Sequence, residues 1–164
     1  MKSTTCAAVM ESPLGVLTLY GNGHALTALR ISEKPLANKT ELDAGARDAV
    51  LNKTKQQLEK YFKGKLTSFD VPLEVKGTPF QKKVWKALSK IPYGKTASYK
   101  DIAMMVGNPK ACRAVGTANG KNPLCVLVPC HRVISNDGSI GGYTGGLSKK
   151  RYLLSLEAEH DASL

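Results

Sequence analysis

The chain has 164 residues, 42% of them hydrophobic and 23% charged, a length that buries about 70% of the unfolded surface and needs no disulfide scaffold. That balance excludes a disordered chain, and no run approaches the ~18 apolar residues of a membrane span. The net charge of +11 is unevenly spread: residues 1–75 carry 10 basic and 8 acidic side chains, net +2, and residues 76–164 carry 14 and 5, net +9. Such a field in one half suits a polyanion such as nucleic acid, although it also serves plain solubility.

Met1-Lys2-Ser3-Thr4-Thr5-Cys6 lacks the apolar stretch of a secretory leader, so a cytoplasmic or nucleoid location is expected. In that setting Cys6, Cys112, Cys125 and Cys130 are expected as reduced thiols.

Three short apolar or alternating runs, Ala7–Met10, Val16–Tyr20 and Ala25–Ile31, are separated by the turn sequences Ser12-Pro13-Leu14-Gly15 and Gly21-Asn22-Gly23. They predict an antiparallel three-strand meander. The period then changes to helical from about Asp43 to Phe62. Ala46, Val50, Leu51, Thr54, Leu58, Tyr61 and Phe62 share one face, and Gly64 ends the helix. Residues 68–77 read as an extended linker.

Thr78-Pro79-Phe80-Gln81 combines an N-cap, a proline at the first helical position and a capping-box glutamine, ahead of an apolar stripe at Val84, Trp85 and Leu88. Ile91-Pro92-Tyr93-Gly94 ends that helix. Ser98-Tyr99-Lys100-Asp101 is a second capping box, opening a helix through Ile102, Ala103 and Val106. After Gly107, Asn108 and Pro109 predict a third helix running to about Ala118. Two short helices around a glycine turn fit either a DNA-reading helix-turn-helix or an ordinary helical hairpin. With Ala111, Cys112, Val115 and Ala118 inward, the second helix shows Lys110, Arg113, Ala114 and Thr117 outward. Such a face can lie close against a nucleic-acid backbone or simply stay solvated.

Cys125–Val128 reads as a buried strand ended by Pro129, placing Cys130, His131 and Arg132 at a strand end. A free cysteine, with a pKa of about 8.5, is mostly protonated near neutrality unless a base or positive field assists. Three roles are open for this tripeptide: a structural thiol, a zinc ligand set, and a thiolate nucleophile. Zinc is poorly served, because Cys125, Cys130 and His131 give three ligands without a CxxC pair. The glycine-rich residues 138–146 offer a cleft wall and lack the Gly-Lys-Ser/Thr ending of a phosphate loop.

Asn122-Pro123, Pro129-Cys130-His131-Arg132-Val133 and Gly141-Gly142-Tyr143-Thr144-Gly145-Gly146 together closely resemble the active-site signature of the O6-alkylguanine-DNA alkyltransferases, also called methylated-DNA-protein-cysteine methyltransferases. The resemblance runs from Thr78 to about Glu159, and the first 76 residues are compatible with that family's more variable first domain. It implies an α/β chain with two domains. Residues 1–76 would form a ribonuclease-like antiparallel sheet with a helix, and residues 77–164 a mainly helical, winged-helix-like domain that binds DNA and accepts the alkyl group.

Carried over residue by residue, the resemblance makes Cys130 the alkyl acceptor. His131 becomes the group that removes its proton through water, and Glu157, on a last helix from Leu147 to about Glu159, the carboxylate that holds His131. Glu157 alone would read as a surface glutamate. Asn122 would tie the cysteine loop to the recognition helix, and Tyr99 would crowd the 3' phosphate and donate to the base edge. Arg113 would enter the minor groove and replace the flipped nucleotide. Ala114 and Gly116 would lie against the DNA, with Lys100, Asn108 and Asn136 on its backbone. Main-chain groups at Cys130, Val133 and Thr144 would read the guanine in a pocket built with Pro129, Tyr143 and Gly145.

The implied reaction is direct repair of O6-alkylguanine in double-stranded DNA, with O4-alkylthymine as a further possible substrate, once per molecule and without a cofactor or membrane. The implied state is a monomer, with cooperative binding along DNA left open. Only Cys6 and His24 stand in the first domain as ligand types, so no metal is expected. The rival from another class is a winged-helix DNA-binding module without alkyl transfer. A third reading is a cysteine hydrolase using Cys130 and His131.

Overall fold

The computed structural model describes residues 5–161; residues 1–4, which carry most of the leader argument, lie outside them. The chain forms two compact units that divide between Val75 and Lys76. In the first, β1 (Cys6–Ser12), β2 (Gly15–Gly21) and β3 (Leu26–Ser32) form an antiparallel sheet in chain order. The pairing sets Leu17 between Met10 and Ile31, and Leu19 between Ala8 and Leu29. One face of β2 is thereby closed, and Leu17 and Leu19 are fully buried, each contributing roughly 1.5–3 kcal/mol of transfer free energy. Asn22 makes the second turn by accepting from the backbone N–H groups of His24 and Ala25, both at 2.9 Å.

The single helix expected over residues 43–62 is two helices, α1 (Lys39–Gly45) and α2 (Ala49–Phe62). A capping box between Asn38 and Glu41 starts α1 upstream of the predicted start. Asp48 adopts extended backbone and its carboxylate accepts from Leu51 N at 2.8 Å, which starts α2. Ala46, assigned to the inward face, is exposed in the break, whereas Leu51, Thr54, Leu58 and Tyr61 form the buried stripe. Cys6 joins sheet to helix, its thiol donating to Asp48 at 3.3 Å. The extended stretch beyond α2 pairs with β3: Leu26 N donates to Pro72 O and Glu74 N to Leu26 O.

The second unit contains α3 (Pro79–Leu88), β4 (Ala97–Ser98), α4 (Tyr99–Met105), α5 (Cys112–Gly120), a single 3-10 turn (Cys130–Arg132), β5 (Val133–Ile134) and α6 (Leu147–His160). Both capping boxes read from the sequence are present, Thr78 with Gln81 and Ser98 with Asp101. Helices α3, α4 and α5 pack on one another around Val84, Trp85, Leu88, Ile102, Ala103 and Val115, all buried. Trp85 fixes α5 by donating its indole N–H to Ala118 O at 2.9 Å.

Two local expectations are corrected. Helix α5 starts at Cys112 rather than at Pro109, because Ala111 N bonds to Asn108 O and closes a turn there, and no side chain caps the helix. Residues 125–128 form a turn and not a strand. Val128 N donates to Leu124 O at 2.9 Å, and the Asn122 side chain takes up Val128 O and Leu124 N, so this backbone is satisfied without a ladder. A short parallel pair, β4 with β5, joins Ala97 to Val133 and Ser98 to Ile134.

Gly45 shows how closely α1 lies on β1. A Cβ added there would stand 1.9 Å from the carbonyl oxygen of Ala7, and backbone cannot swing aside as a side chain can. Gly45→Ala is therefore expected to lower stability by about 3 kcal/mol or more, measured as a fall in the urea midpoint at unchanged slope.

Candidate active site

Cys130 opens the 3-10 turn and is 3% exposed. Asn122, two residues beyond α5, donates from Nδ2 to Val128 O at 2.8 Å and accepts from Leu124 N at 3.0 Å. One amide thus fixes both ends of the segment leading into Pro129 and Cys130. Inside it, Val126 has φ +75°, a left-handed conformation that costs a β-branched residue roughly 1–3 kcal/mol and is held by its surroundings.

Behind the thiol lies a buried polar network. His131 is wholly enclosed and Glu157 is 1% exposed. His131 Nε2 meets Glu157 Oε2 at 2.7 Å. Arg132 grips the same carboxylate through Nε (2.7 Å) and Nη2 (3.0 Å), and donates from Nη1 to Ile91 O at 2.7 Å. Gly94 N adds a longer contact at 3.3 Å. Burial alone would raise the carboxyl pKa, but the bonds from His131 and Arg132 prevail and bring it down to about 2. An ionised carboxylate only accepts, so Nε2 of His131 carries the proton. Burial, with the neighbouring Arg132 and Lys150 charges, outweighs Glu157 and lowers the His131 pKa. The imidazole is therefore neutral near pH 7, and its buried Nδ1, which meets no protein hydrogen-bond partner, offers a lone pair.

Cys130 shares a cavity of about 190 Å³ with Cys125, Asn119, Tyr99, Tyr143 and Thr144, smaller than the roughly 300–1,000 Å³ of pockets for larger ligands. The neighbouring Cys125 thiol first, and burial second, raise the Cys130 pKa well above the usual thiol value, while Asn122 and Lys150 pull it the other way. The resting group is a thiol, so a nucleophile forms only when its proton is taken. Gly116 and Gly120 of α5 complete the cavity. A side chain at Gly116 would touch the Tyr99 ring at 3.7 Å.

The remaining residues singled out in the sequence fall into place around this centre. Thr144 anchors the glycine-rich segment by donating to Gly120 O at 2.8 Å, and Gly145 lies against the Tyr143 ring. Pro129 and Val133 are buried on either side of the 3-10 turn. Arg113 and Ala114 are exposed on the outer face of α5, one turn before Gly116, and Asn108 is exposed in the turn preceding that helix. Asn136 accepts from Lys100 N at 3.1 Å, joining the loop after β5 to the start of α4. All four cysteines are free thiols, and among the described residues no cluster of three His, Cys, Asp or Glu side chains is arranged to hold a metal.

Two contributors escaped the sequence reading. Lys150, on α6, is fully buried and donates to Val133 O at 2.6 Å and Gly142 O at 3.0 Å, holding two cavity walls together. Burial lowers its pKa to about 8. Its place in the stripe Lys150, Leu153, Glu157, at helical spacing, was the available signal. Asn119 lines the cavity with a buried Oδ1 that meets no protein donor; nothing in the sequence set it apart from a surface asparagine.

Removing the Glu157 charge leaves Arg132 buried without its counterion. Glu157→Gln is expected to cost about 3–5 kcal/mol. In the parent protein the depressed pKa gives stability that is complete above pH ~4.5, the unfolded value, and is lost as pH falls through about 2. The shift corresponds to about 3 kcal/mol. Urea titrations stepped down in pH will show that loss in the parent and a flatter profile in the variant.

The family model for the DNA-binding domain of 6-O-methylguanine DNA methyltransferase matches residues 79–159, and the model for the ribonuclease-like domain matches residues 6–75. A methylated-DNA–protein-cysteine methyltransferase of Mycobacterium tuberculosis is 50% identical over 151 residues, covering 90% of this chain and 89% of its own. One of Methanosarcina barkeri is 48% identical over 154 residues, covering 91% and 94%. The crystal structure of Mycobacterium tuberculosis OGT in complex with DNA matches with a TM-score of 0.83 at 47% identity, covering 93% of this chain and 92% of that one. With both units matched in order by the family models and relatives of about half identity matching nine-tenths of its length, the chain belongs to the 6-O-methylguanine DNA methyltransferase family.

Proposed function

We propose that this protein repairs alkylated DNA by direct reversal, moving the alkyl group of O6-alkylguanine irreversibly onto Cys130. The observation that carries the reading is the combination of a nearly enclosed thiol lining a small cavity with a neutral, carboxylate-held imidazole next to it in the chain. A water between Cys130 and His131 Nδ1 would carry the thiol proton to that lone pair. Glu157 would then stabilise the imidazolium through Nε2.

The thiolate attacks the alkyl carbon, the carbon–sulfur bond forms, and the carbon–O6 bond breaks. The electron pair leaves on guanine, which takes a proton from the Tyr99 side. The product thioether has no internal group to strip it, so each molecule acts once. No soluble donor enters the balance, because the alkyl group comes from the DNA.

A stacked base hides O6 from in-line attack, so the nucleotide must leave the helix. The cavity volume of about 190 Å³ suits one flipped base. Arg113, on the face of short side chains, would approach from the minor groove and fill the vacated position. Lys100, Asn108 and Asn136 would meet the backbone, and main-chain groups at Val133 and Thr144 would read the base. The excess charge of residues 76–164, net +9, adds long-range attraction to DNA.

Incubation with a duplex containing one O6-methylguanine should add one methyl mass to the parent and none to Cys130→Ala. Unchanged mass with retained DNA binding would support a binding module instead, and sustained turnover of an ester or amide would support a hydrolase. Arg113→Ala should slow repair of duplex DNA by about tenfold or more, as for a lost ~1.4 kcal/mol contact, while affecting reaction with free O6-benzylguanine less. Equal losses on both substrates would remove Arg113 from base extrusion.

A further inference from the structure

Cys125 has no part in the transfer just described, yet it lines the same cavity as Cys130, and each thiol lies near enough to shift the pKa of the other. Residues five apart on an extended strand point to opposite faces. Here the turn at Val126, with φ +75°, and the Asn122 clamp bring the chain back so that both cysteines line one space. Cys125 Sγ faces Asn122 O at 3.9 Å. Cys6 and Cys112 lie outside this cavity.

The geometry points to a reversible Cys125–Cys130 disulfide, formed by peroxide, as a second covalent state of this pocket. Cys125 is the more exposed of the two, and the neighbouring Cys130 thiol lowers its pKa, so the first oxidation falls there. The Cys125 thiolate attacks one peroxide oxygen, forming the S–O bond of a sulfenic acid as the O–O bond breaks, and the departing hydroxide takes a proton from solvent to become water. The Cys130 sulfur then attacks the sulfenic sulfur, the S–S bond forms, and the hydroxyl departs with the Cys130 proton as a second water. Both sulfurs are oxidised and one peroxide is reduced. A dithiol reductant returns two thiols. The bond does not depend on the proposed alkyl transfer; its consequence, a masked acceptor, rests on Cys130 being that acceptor.

Trypsin leaves both cysteines on one peptide, residues 122–132, between Lys121 and Arg132. After hydrogen peroxide without DNA, that peptide should be two hydrogens lighter and take up no iodoacetamide. Dithiothreitol should restore two labelled thiols. Alkyl uptake should fall in proportion to the crosslinked fraction and return on reduction, and Cys125→Ser should lose the reversible part of that fall. The parent peptide needs no variant to fold, so it decides the matter alone: two free thiols, added oxygen, or a bridge to another cysteine would overturn the proposal. If unoxidised protein gains no alkyl mass, the repair reading fails while the crosslink result stands.

Discussion

The buried carboxylate of Glu157 is the constraint on which the rest of the site depends. A single side chain on α6 receives Arg132 through two nitrogens and His131 through one, fixing both residues that follow Cys130. The ion pair with Arg132 offsets the cost of burying the charge. It also tempers the field at His131, so that the imidazole stays neutral and can receive a proton. A lone carboxylate would favour an imidazolium, which has no lone pair to offer; a lone arginine would leave the imidazole tautomer undefined.

The cavity is assembled by a different set of forces. Asn122 closes the loop ahead of Cys130, Lys150 draws the carbonyls of Val133 and Gly142 together, and Thr144 fastens the glycine-rich wall to the end of α5. Each is a side chain bonded to main chain, so the walls are made of backbone whose position side chains dictate.

What could be read from the sequence was whatever is decided locally. The capping boxes at Thr78 and Ser98 satisfy helix N–H groups within four residues, and the structure contains both. The adjacency of Cys130 and His131 pointed to chemistry, although a lone spacing argument left three roles open until the family signature narrowed them. The break between α1 and α2 was invisible because apolar periodicity continues across it, whereas Gly45 against Ala7 and the Asp48 cap decide the geometry. The run Cys125–Val128 has strand composition and forms a turn, since the Asn122 amide supplies the bonds a neighbouring strand would have made. Glu157 and Lys150 lie well beyond Cys130 in the chain and join its surroundings through long-range hydrogen bonds; helical spacing puts them on one face but does not encode the partners they meet.

The position of Glu157 in the chain also sets when the thiol can become competent. A polypeptide is made from its amino terminus onward, so Cys130 leaves the ribosome before the helix that holds the carboxylate. Until α6 docks, His131 has neither its tautomer nor its orientation, and the pocket walls lack Lys150. A sulfur that can be used only once is thus kept unready through biosynthesis by the order in which its neighbours are translated.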